Sequence, residues 1–360
     1  MRSPEPKQRR ARLFESLAEA GLDALFVSSP PNIRYLSGFT GSSALLLAVP
    51  GRSVLFTDPR YAIQSAEECD CRVRVVKRTL ITALAAAARR LGLRRIGFEQ
   101  QHLTCDLWQS PRNNLAAGVD LVPASGLVEE LRAVKSPAEV ALIRQSARTC
   151  RAAFQRAVRR IRPGLTEAAL AAEIDHQMRR LGAEGPAFET IVAAGPNAVL
   201  PHARPGSRPL RNNELLLIDM GARQDGYASD MTRVLSLGEA PAEARQLHAA
   251  VLEAQLAALQ TVRDGVAASA VDRRAREVLR GHGLDKAFTH STGHGLGLEI
   301  HEAPRIGQRA GERLRDGMVI TVEPGVYIKG FGGVRIEDTV LVTQEGCEIL
   351  TPAPKDLLMV

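Results

Sequence analysis

Four carboxylates in the last two fifths of this 360-residue chain are set inside or directly beside apolar runs, and that placement restricts what the chain can fold into. Asp219 and Asp230 lie in "LLLIDMGARQDGYASDMTRV", Glu323 in "GMVITVEPGVYI" and Glu337 in "GGVRIEDTVLVT". Runs of this kind are driven out of water, whereas an ionised carboxylate carried in with them is strongly destabilised unless a counter-charge meets it. The fold must therefore bring the four to a shared partner. His294, in "THSTGHGLGLEIHEAP", adds an imidazole to the same set.

The length favours two domains. Before residue 125 the chain alternates short apolar strands ("DALFVSS", "SSALLLAV", "SVLFTD", "RRIGFE") with helical stretches over Gln8 to Ala20 and around "ITALAAAARRLG", a small α/β pattern. Ser136, Pro137 and Glu139 make a capping-box start with proline at the first helical position. The domain junction is placed just before it, giving domains over 1–130 and 131–360. Two long helices follow, about Pro137 to Arg162 and Thr166 to Leu181, then a hairpin, helices near Ala242 to Asp264 and Ala268 to Gly281, and further strands. This order predicts an α+β domain with antiparallel sheet backed by helices.

Composition excludes several classes. Lys and Arg exceed Asp and Glu by 47 to 40, but the basic residues are scattered and not interleaved with aromatics, which argues against a nucleic-acid partner. No apolar run reaches the roughly 18 residues of a membrane span, and the N-terminus lacks an apolar signal core. Five dispersed cysteines, Cys69, Cys71, Cys105, Cys150 and Cys347, show no zinc-site spacing and read as reduced thiols. The expectation is a cytoplasmic protein with no membrane contact.

A turn centred between Gln224 and Asp225 would make Asp219 and Asp230 directly opposed cross-strand neighbours, with Cβ atoms roughly 5 Å apart. Two carboxylates that close must share a proton or a cation. Strand alternation through 334–339 puts Arg335 and Glu337 on one face. The glycines around His294 do not fit a phosphate-binding GxGxxG and are read as letting the backbone approach a metal site, and the segment has no HExxH helix motif. Four carboxylates and one imidazole are a hard donor set, suited to two divalent ions such as Mn²⁺ or Co²⁺ about 3.5–4 Å apart.

The ordered motifs "DxGxxxxxYxSDxTR" (219–233), "GHGLGLEIHE" (293–302), "EPGVY" (323–327) and "RIED" (335–338) resemble those of the pita-bread metallopeptidases, in particular the Xaa-Pro peptidases, aminopeptidase P and prolidase. "NIRYLSGFTGS" and "LFTDPRY" are similar to the creatinase-type N-terminal domain of that subfamily. The resemblance implies an α+β chain: a smaller α/β creatinase-like domain followed by a pita-bread catalytic domain. It implies that Asp219 chelates one metal, that Asp230 and Glu337 bridge both, and that His294 and Glu323 complete the second. The ions implied are Mn²⁺, with Co²⁺ or Zn²⁺ as alternatives. Glu323 would also be the general base; His202, His290 and His301 would bind substrate, steady the oxyanion or pass protons. Arg335 and Tyr327 would organise the surrounding network, with Tyr327 close to substrate. Arg305 matches an arginine that in some prolidases binds the substrate carboxylate. A homodimer acting on small peptides with proline second is implied.

The reading placed first is an Xaa-Pro aminopeptidase, with a strict Xaa-Pro dipeptidase as its alternative. A metal-free creatinase-like amidinohydrolase and a non-enzymatic binding protein share the fold. Neither accounts for an intact set of buried carboxylates.

Overall fold

The computed structural model describes residues 5–103, 109 and 118–360, so Cys105 lies outside the described residues. The chain divides into two compact units, Met1–Arg132 and Ala133–Val360.

The first unit is a six-stranded mixed sheet with helices. In chain order its strands are β1 (Ala24–Val27), β2 (Ala44–Ala48), β3 (Val54–Thr57), β4 (Arg72–Val75), β5 (Arg95–Glu99) and β6 (Asp120–Ala124), arranged β4-β3-β2-β1-β5-β6. The β1–β2 and β2–β3 pairs are antiparallel; β1–β5, β5–β6 and β3–β4 are parallel. The apolar runs of the sequence form the four central strands. The two edges, β4 "RVRV" and β6 "DLVPA", went unread because one is charged and the other interrupted by Pro123, as edge strands often are. Phe26, Phe56, Leu47, Leu84 and Ile96 pack into its core.

In the second unit, Ser136 caps the helix Pro137–Val158 through the full capping box, and Thr166 caps Glu167–Arg180 by accepting from the Ala169 N–H. The first of these helices stops four residues short of the expected Arg162, where a turn leads into Pro163-Gly164. Helices Ala242–Thr261 and Ala268–Gly281 follow the hairpin. The strands are β7 (Gly185–Pro186), β8 (Ile191–Ala194), β9 (Glu214–Met220), β10 (Ala222–Gln224), β11 (Tyr227–Ala228), β12 (Met231–Leu237), β13 (Gly293–Gly295), β14 (Glu302–Ile306), β15 (Val319–Val322), β16 (Gly325–Ile328), β17 (Gly332–Arg335), β18 (Asp338–Val342), β19 (Cys347–Ile349) and β20 (Leu358–Met359). Two sheets matter for the site: β20-β12-β9-β8, and the antiparallel β14-β13-β15-β18-β19.

The unbroken apolar run "LLLI" has a direct cause. Leu215 and Leu217 of β9 join one core with the helices Ala242–Thr261 and Ala268–Gly281, while Leu216 and Ile218 join another with the helices Pro137–Val158 and Glu167–Arg180. A strand covered on both faces reads as continuously apolar rather than alternating. Each of these side chains contributes roughly 1.5–3 kcal/mol on burial. Asp219 is the next residue on the Leu215–Leu217 face, which carries it to the end of the first core.

The hairpin register corrects the sequence reading. Gln224 pairs with Tyr227 and Asp219 with Thr232, so the turn is Asp225-Gly226, one residue later than expected. Both turn residues have positive φ, 48° and 75°, the two-residue primed turn that Asp-Gly favours. Asp230 is thus a diagonal neighbour of Asp219 on the same face, not its direct partner. A second expectation also shifts. The strand through 334–339 is broken into β17 and β18, with Ile336 and Glu337 between them.

Candidate metal centre

Each acidic residue of the centre sits at a strand end. Asp219 is the penultimate residue of β9, Asp230 immediately precedes β12, Glu323 follows β15 and Glu337 precedes β18. β15 and β18 pair antiparallel with Val322 opposite Asp338, so Glu323 and Glu337 face each other one step past the last rung. His294 is central in β13, beside β15. Its flanking glycines serve the neighbouring strands and not a metal. A Cβ at Gly293 would lie 2.0 Å from the Thr321 carbonyl oxygen, and one at Gly295 would lie 2.1 Å from that of Ala303.

Ligand atoms of Asp219, Asp230 and Glu337 lie within 4.8 Å of one another. Asp219 Oδ1, Asp230 Oδ1 and Glu337 Oε1 are buried and, among the described residues, have no hydrogen-bond partner. Buried acceptors are normally satisfied, so three converging orphans are the mark of a cation site. His294 Nε2 lies 3.3 Å from Glu323 and 3.7 Å from Asp230. Its Nδ1 donates to the Gly295 carbonyl at 3.0 Å, which leaves Nε2 of the neutral ring as the ligating nitrogen. The donors thus fit a pair of hard divalent ions.

The electrostatics agree. Burial, then repulsion from Glu337, Asp219 and Glu323, pushes Asp230 well above the usual carboxylate range. Glu337 is raised likewise by burial and by Glu323 and Asp219, and Asp219 is raised by burial against the pull of Arg335. For Glu323 burial works upward, but the hydrogen bond and charge of His294, with Arg335 and His290, outweigh it and hold the carboxyl low. His294 is correspondingly raised by Glu323 against the effect of its own burial.

Around these residues lies a support layer. Arg335 Nη2 donates to Asp219 at 2.6 Å and Nη1 to the Tyr327 hydroxyl at 2.7 Å. Tyr327 also meets His290 Nε2 at 2.9 Å. These two contacts engage the Tyr327 hydroxyl, and Tyr327 is not among the residues that line the cleft opening onto the centre. A cleft of about 660 Å³ opens onto the centre and is lined by all five candidate ligands together with His202, His290, His301, Arg305 and Arg335. His301 packs edge-on against His294, ring centroids 4.4 Å apart. His202, His301 and Arg305 are exposed at the mouth.

Sequence reasoning missed Thr232, Thr321, Asp272 and Arg276. Thr321 donates to Glu323 at 3.2 Å and accepts from the His294 N–H at 3.1 Å. Asp272 holds Thr292, and Arg276 donates to the His290 carbonyl at 2.5 Å, so the helix Ala268–Gly281 anchors the histidine segment. The available signal was Asp272 itself, an acid within the apolar stripe Val271, Ala275, Leu279.

The "Metallopeptidase family M24" pattern matches residues 141–344, and "Creatinase/Prolidase N-terminal domain" matches residues 9–134. The chain is 33% identical over 352 residues to an Xaa-Pro dipeptidase of Pyrococcus furiosus, covering 98% of this chain and 100% of that one. Among solved structures it superimposes on an Xaa-Pro dipeptidase from Bacillus anthracis with a TM-score of 0.96 at 35% identity, over 99% of this chain and 100% of that one. An X-Pro aminopeptidase from Thermotoga maritima matches with a TM-score of 0.90 at 37% identity, over 96% and 100%. The fold is therefore a creatinase-type N-terminal domain followed by a pita-bread catalytic domain. The strand ends that gather Asp219, Asp230, His294, Glu323 and Glu337 lie at or within the matched span, and this chain belongs to metallopeptidase family M24.

Proposed function

We propose that the chain is an Xaa-Pro dipeptidase that uses two divalent ions held by Asp219, Asp230, His294, Glu323 and Glu337. The observation that carries the metal centre is the trio of unpartnered buried carboxylate oxygens on Asp219, Asp230 and Glu337. Dipeptidase is preferred to the aminopeptidase reading placed first in the sequence analysis, because relatives over the full length bear the dipeptidase name. Arg305 supports it: the side chain lines the cleft and, among the described residues, is not tied up by a carboxylate, so its fork is available to a substrate carboxylate. Mn²⁺ is the proposed metal, on the strength of the oxygen-rich donor set, with Co²⁺ or Zn²⁺ as substitutes.

When bound, the ions supply Lewis acidity toward water and the scissile carbonyl. Glu323, held ionised by His294 and Arg335, takes a proton from the attacking water and delivers it to the proline nitrogen as the C–N bond breaks. His301, lowered by partial burial and by the His294 charge, presents an N–H to the carbonyl oxygen or holds the substrate. His290, kept neutral by burial, donates Nδ1–H to the Ser291 carbonyl at 2.8 Å and accepts from the Tyr327 hydroxyl at Nε2, so it positions Tyr327. His202 stands at the mouth to meet the peptide. Arg335 fixes Asp219.

A homodimer in the reducing cytoplasm completes the proposal; the free thiols of Cys71, Cys150 and Cys347 are consistent with that compartment, and no helix among the described residues is long and apolar enough to cross a membrane. Incubation with Mn²⁺ and matched Xaa-Pro, Xaa-Pro-Xaa and Xaa-Ala-Xaa peptides tests the reading by mass spectrometry. Cleavage of the Xaa-Pro dipeptide alone is expected. Efficient release of the first residue from Xaa-Pro-Xaa would make the enzyme an aminopeptidase, and no cleavage of any would overturn the peptidase mechanism.

A further inference from the structure

A second cavity, of about 1020 Å³, lies within the N-terminal unit, and the metal centre makes no use of it. Six cationic side chains line it: Lys7, Arg10, Arg52, Arg72, Arg74 and Arg90. They come from separate stretches of chain. Lys7 and Arg10 share one face of the helix Glu5–Glu19, Arg52 precedes β3, Arg72 and Arg74 alternate along the edge strand β4, and Arg90 ends the helix Leu80–Arg90. The cavity has a single carboxylate, Asp70, and Arg10 already holds it with two hydrogen bonds of 2.6 and 3.1 Å. Among the described residues, the side chains of Lys7, Arg52, Arg72, Arg74 and Arg90 have no acceptor of their own.

Charge on β4 alone would be the ordinary protection of a sheet edge against pairing with another chain. That account does not extend to Lys7, Arg52 and Arg90, which lie on other elements yet face the same space. The chain's formal excess is +7, and an excess of five cations is concentrated around this one concavity. Its lining also carries apolar side chains, Phe14, Val54, Leu91 and the buried Phe56. Unpaired guanidinium forks together with apolar side chains in one cavity match an oligophosphate joined to a flat ring, the forks taking phosphate oxygens in pairs.

We propose that this cavity binds an oligophosphate ligand of the nucleoside triphosphate class, at a site separate from the metal centre. The proposal is independent of the peptidase reading. Isothermal titration of the metal-loaded protein with inorganic triphosphate and with adenosine triphosphate, in excess magnesium, tests it against the double variant R72E/R74E. Both positions are exposed on the edge strand, so the variant is expected to fold and to keep its Xaa-Pro hydrolysis rate. Saturable one-site binding that weakens by at least about tenfold in the variant is the expected result. Any binding of phosphate at the metal centre would be common to both proteins and cancels in the comparison. Tighter binding of the nucleotide than of triphosphate is expected from the apolar lining, and equal binding would overturn the nucleoside part of the proposal while supporting the oligophosphate part. Should R72E/R74E fail to fold, R52A/R90A replaces it, with the same weakening expected. Absence of saturable binding, or equal affinity in variant and parent, overturns the proposal. So would loss of self-association in the variant by sedimentation, because the cations would then face a second copy of the chain.

Discussion

The Thr232 hydroxyl donates to Glu337 Oε2 at 2.7 Å, and its Oγ1 accepts from Arg335 Nε at 3.2 Å. Thr232 also lies directly across from Asp219 in the β9–β12 register, and its carbonyl accepts from the Glu337 N–H at 3.2 Å. One fully buried hydroxyl thereby ties a candidate ligand to the arginine that holds another. Thr232→Val keeps the shape and removes this link, leaving Glu337 Oε2 and Arg335 Nε each short of a partner. Metal affinity should fall roughly 10–100-fold, as for other residues that orient ligands. Thr232→Ser should recover most of it. Calorimetric titration of metal-free protein with Mn²⁺ checks both, and an unchanged affinity in the valine variant would remove Thr232 from the site.

The carboxylates also make the metal-free protein sensitive to pH. Asp230 and Glu337 are raised above their ordinary values of 3.8 and 4.5, so between those values and their folded values the native state binds more protons than the unfolded chain. Stability then decreases as pH rises through that window. His294, also raised, acts in the same direction; Glu323, lowered, acts in the opposite one. Thermal melts in chelator should therefore show a higher Tm near pH 5 than near pH 8, and Mn²⁺ should restore most stability at the higher pH. A chelated protein more stable at pH 8 would contradict the assignment of these groups as the dominant ones.

Glu323→Gln keeps the volume and hydrogen-bonding reach of the side chain but cannot accept the water's proton. A kcat reduction of roughly 10²–10⁴-fold is expected with Tm little changed, measured by single-substrate kinetics at saturating Mn²⁺. Since Glu323 is also a candidate ligand, metal content has to be determined alongside. Full metal content with lost turnover assigns the proton-transfer role.

Arg305→Ala should raise KM for Xaa-Pro by roughly 10–100-fold, the loss of one charged hydrogen-bonding partner, while leaving kcat nearly intact. Xaa-Pro-Xaa, if turned over at all, should be little affected. Equal effects on both substrates would mean that Arg305 does not read the carboxylate.

Arg233 spans the buried space behind the centre. It donates to Asp338 at 2.7 Å, to the Glu337 carbonyl, and to the carbonyls of Thr351, Ala353 and Pro354 at 3.0, 2.9 and 3.0 Å. Arg233→Met leaves those acceptors and the buried Asp338 charge exposed to an apolar neighbour, though Lys355 still reaches Asp338 at 2.9 Å. A loss of about 3–5 kcal/mol in stability is expected from denaturant unfolding. A loss below about 1 kcal/mol would show that Lys355, with Gln255 donating to Asp338 at 3.0 Å, satisfies the carboxylate without Arg233.

The five candidate ligands and the long helices were legible in the sequence for physical reasons. A carboxylate inside "LLLID" or "MVITVEP" is anomalous on any reading of burial, and Ser136 with Glu139 specifies a helix start by local hydrogen bonds alone. The hairpin turn was misplaced by one residue although Asp225-Gly226 carries a strong local signal. Symmetry about the two aspartates points one residue early, whereas Asp225 and Gly226 meet the turn's positive-φ requirement. Thr232 and Thr321 were passed over because a threonine in a strand looks ordinary until its hydroxyl is seen to face a carboxylate.

What the chain's own order of residues determined is everything set by neighbours along it: which segments are buried, where helices begin, and that four acids lie in or beside apolar runs. What only tertiary structure decided is every relation across distant segments: Glu323 facing Glu337 past the β15–β18 ladder, the Tyr327 hydroxyl between Arg335 and His290, and six scattered cations around one cavity. The difference is physical. Burial and capping depend on local composition and backbone geometry, whereas strand register and the meeting of side chains from separate elements depend on how whole cores pack.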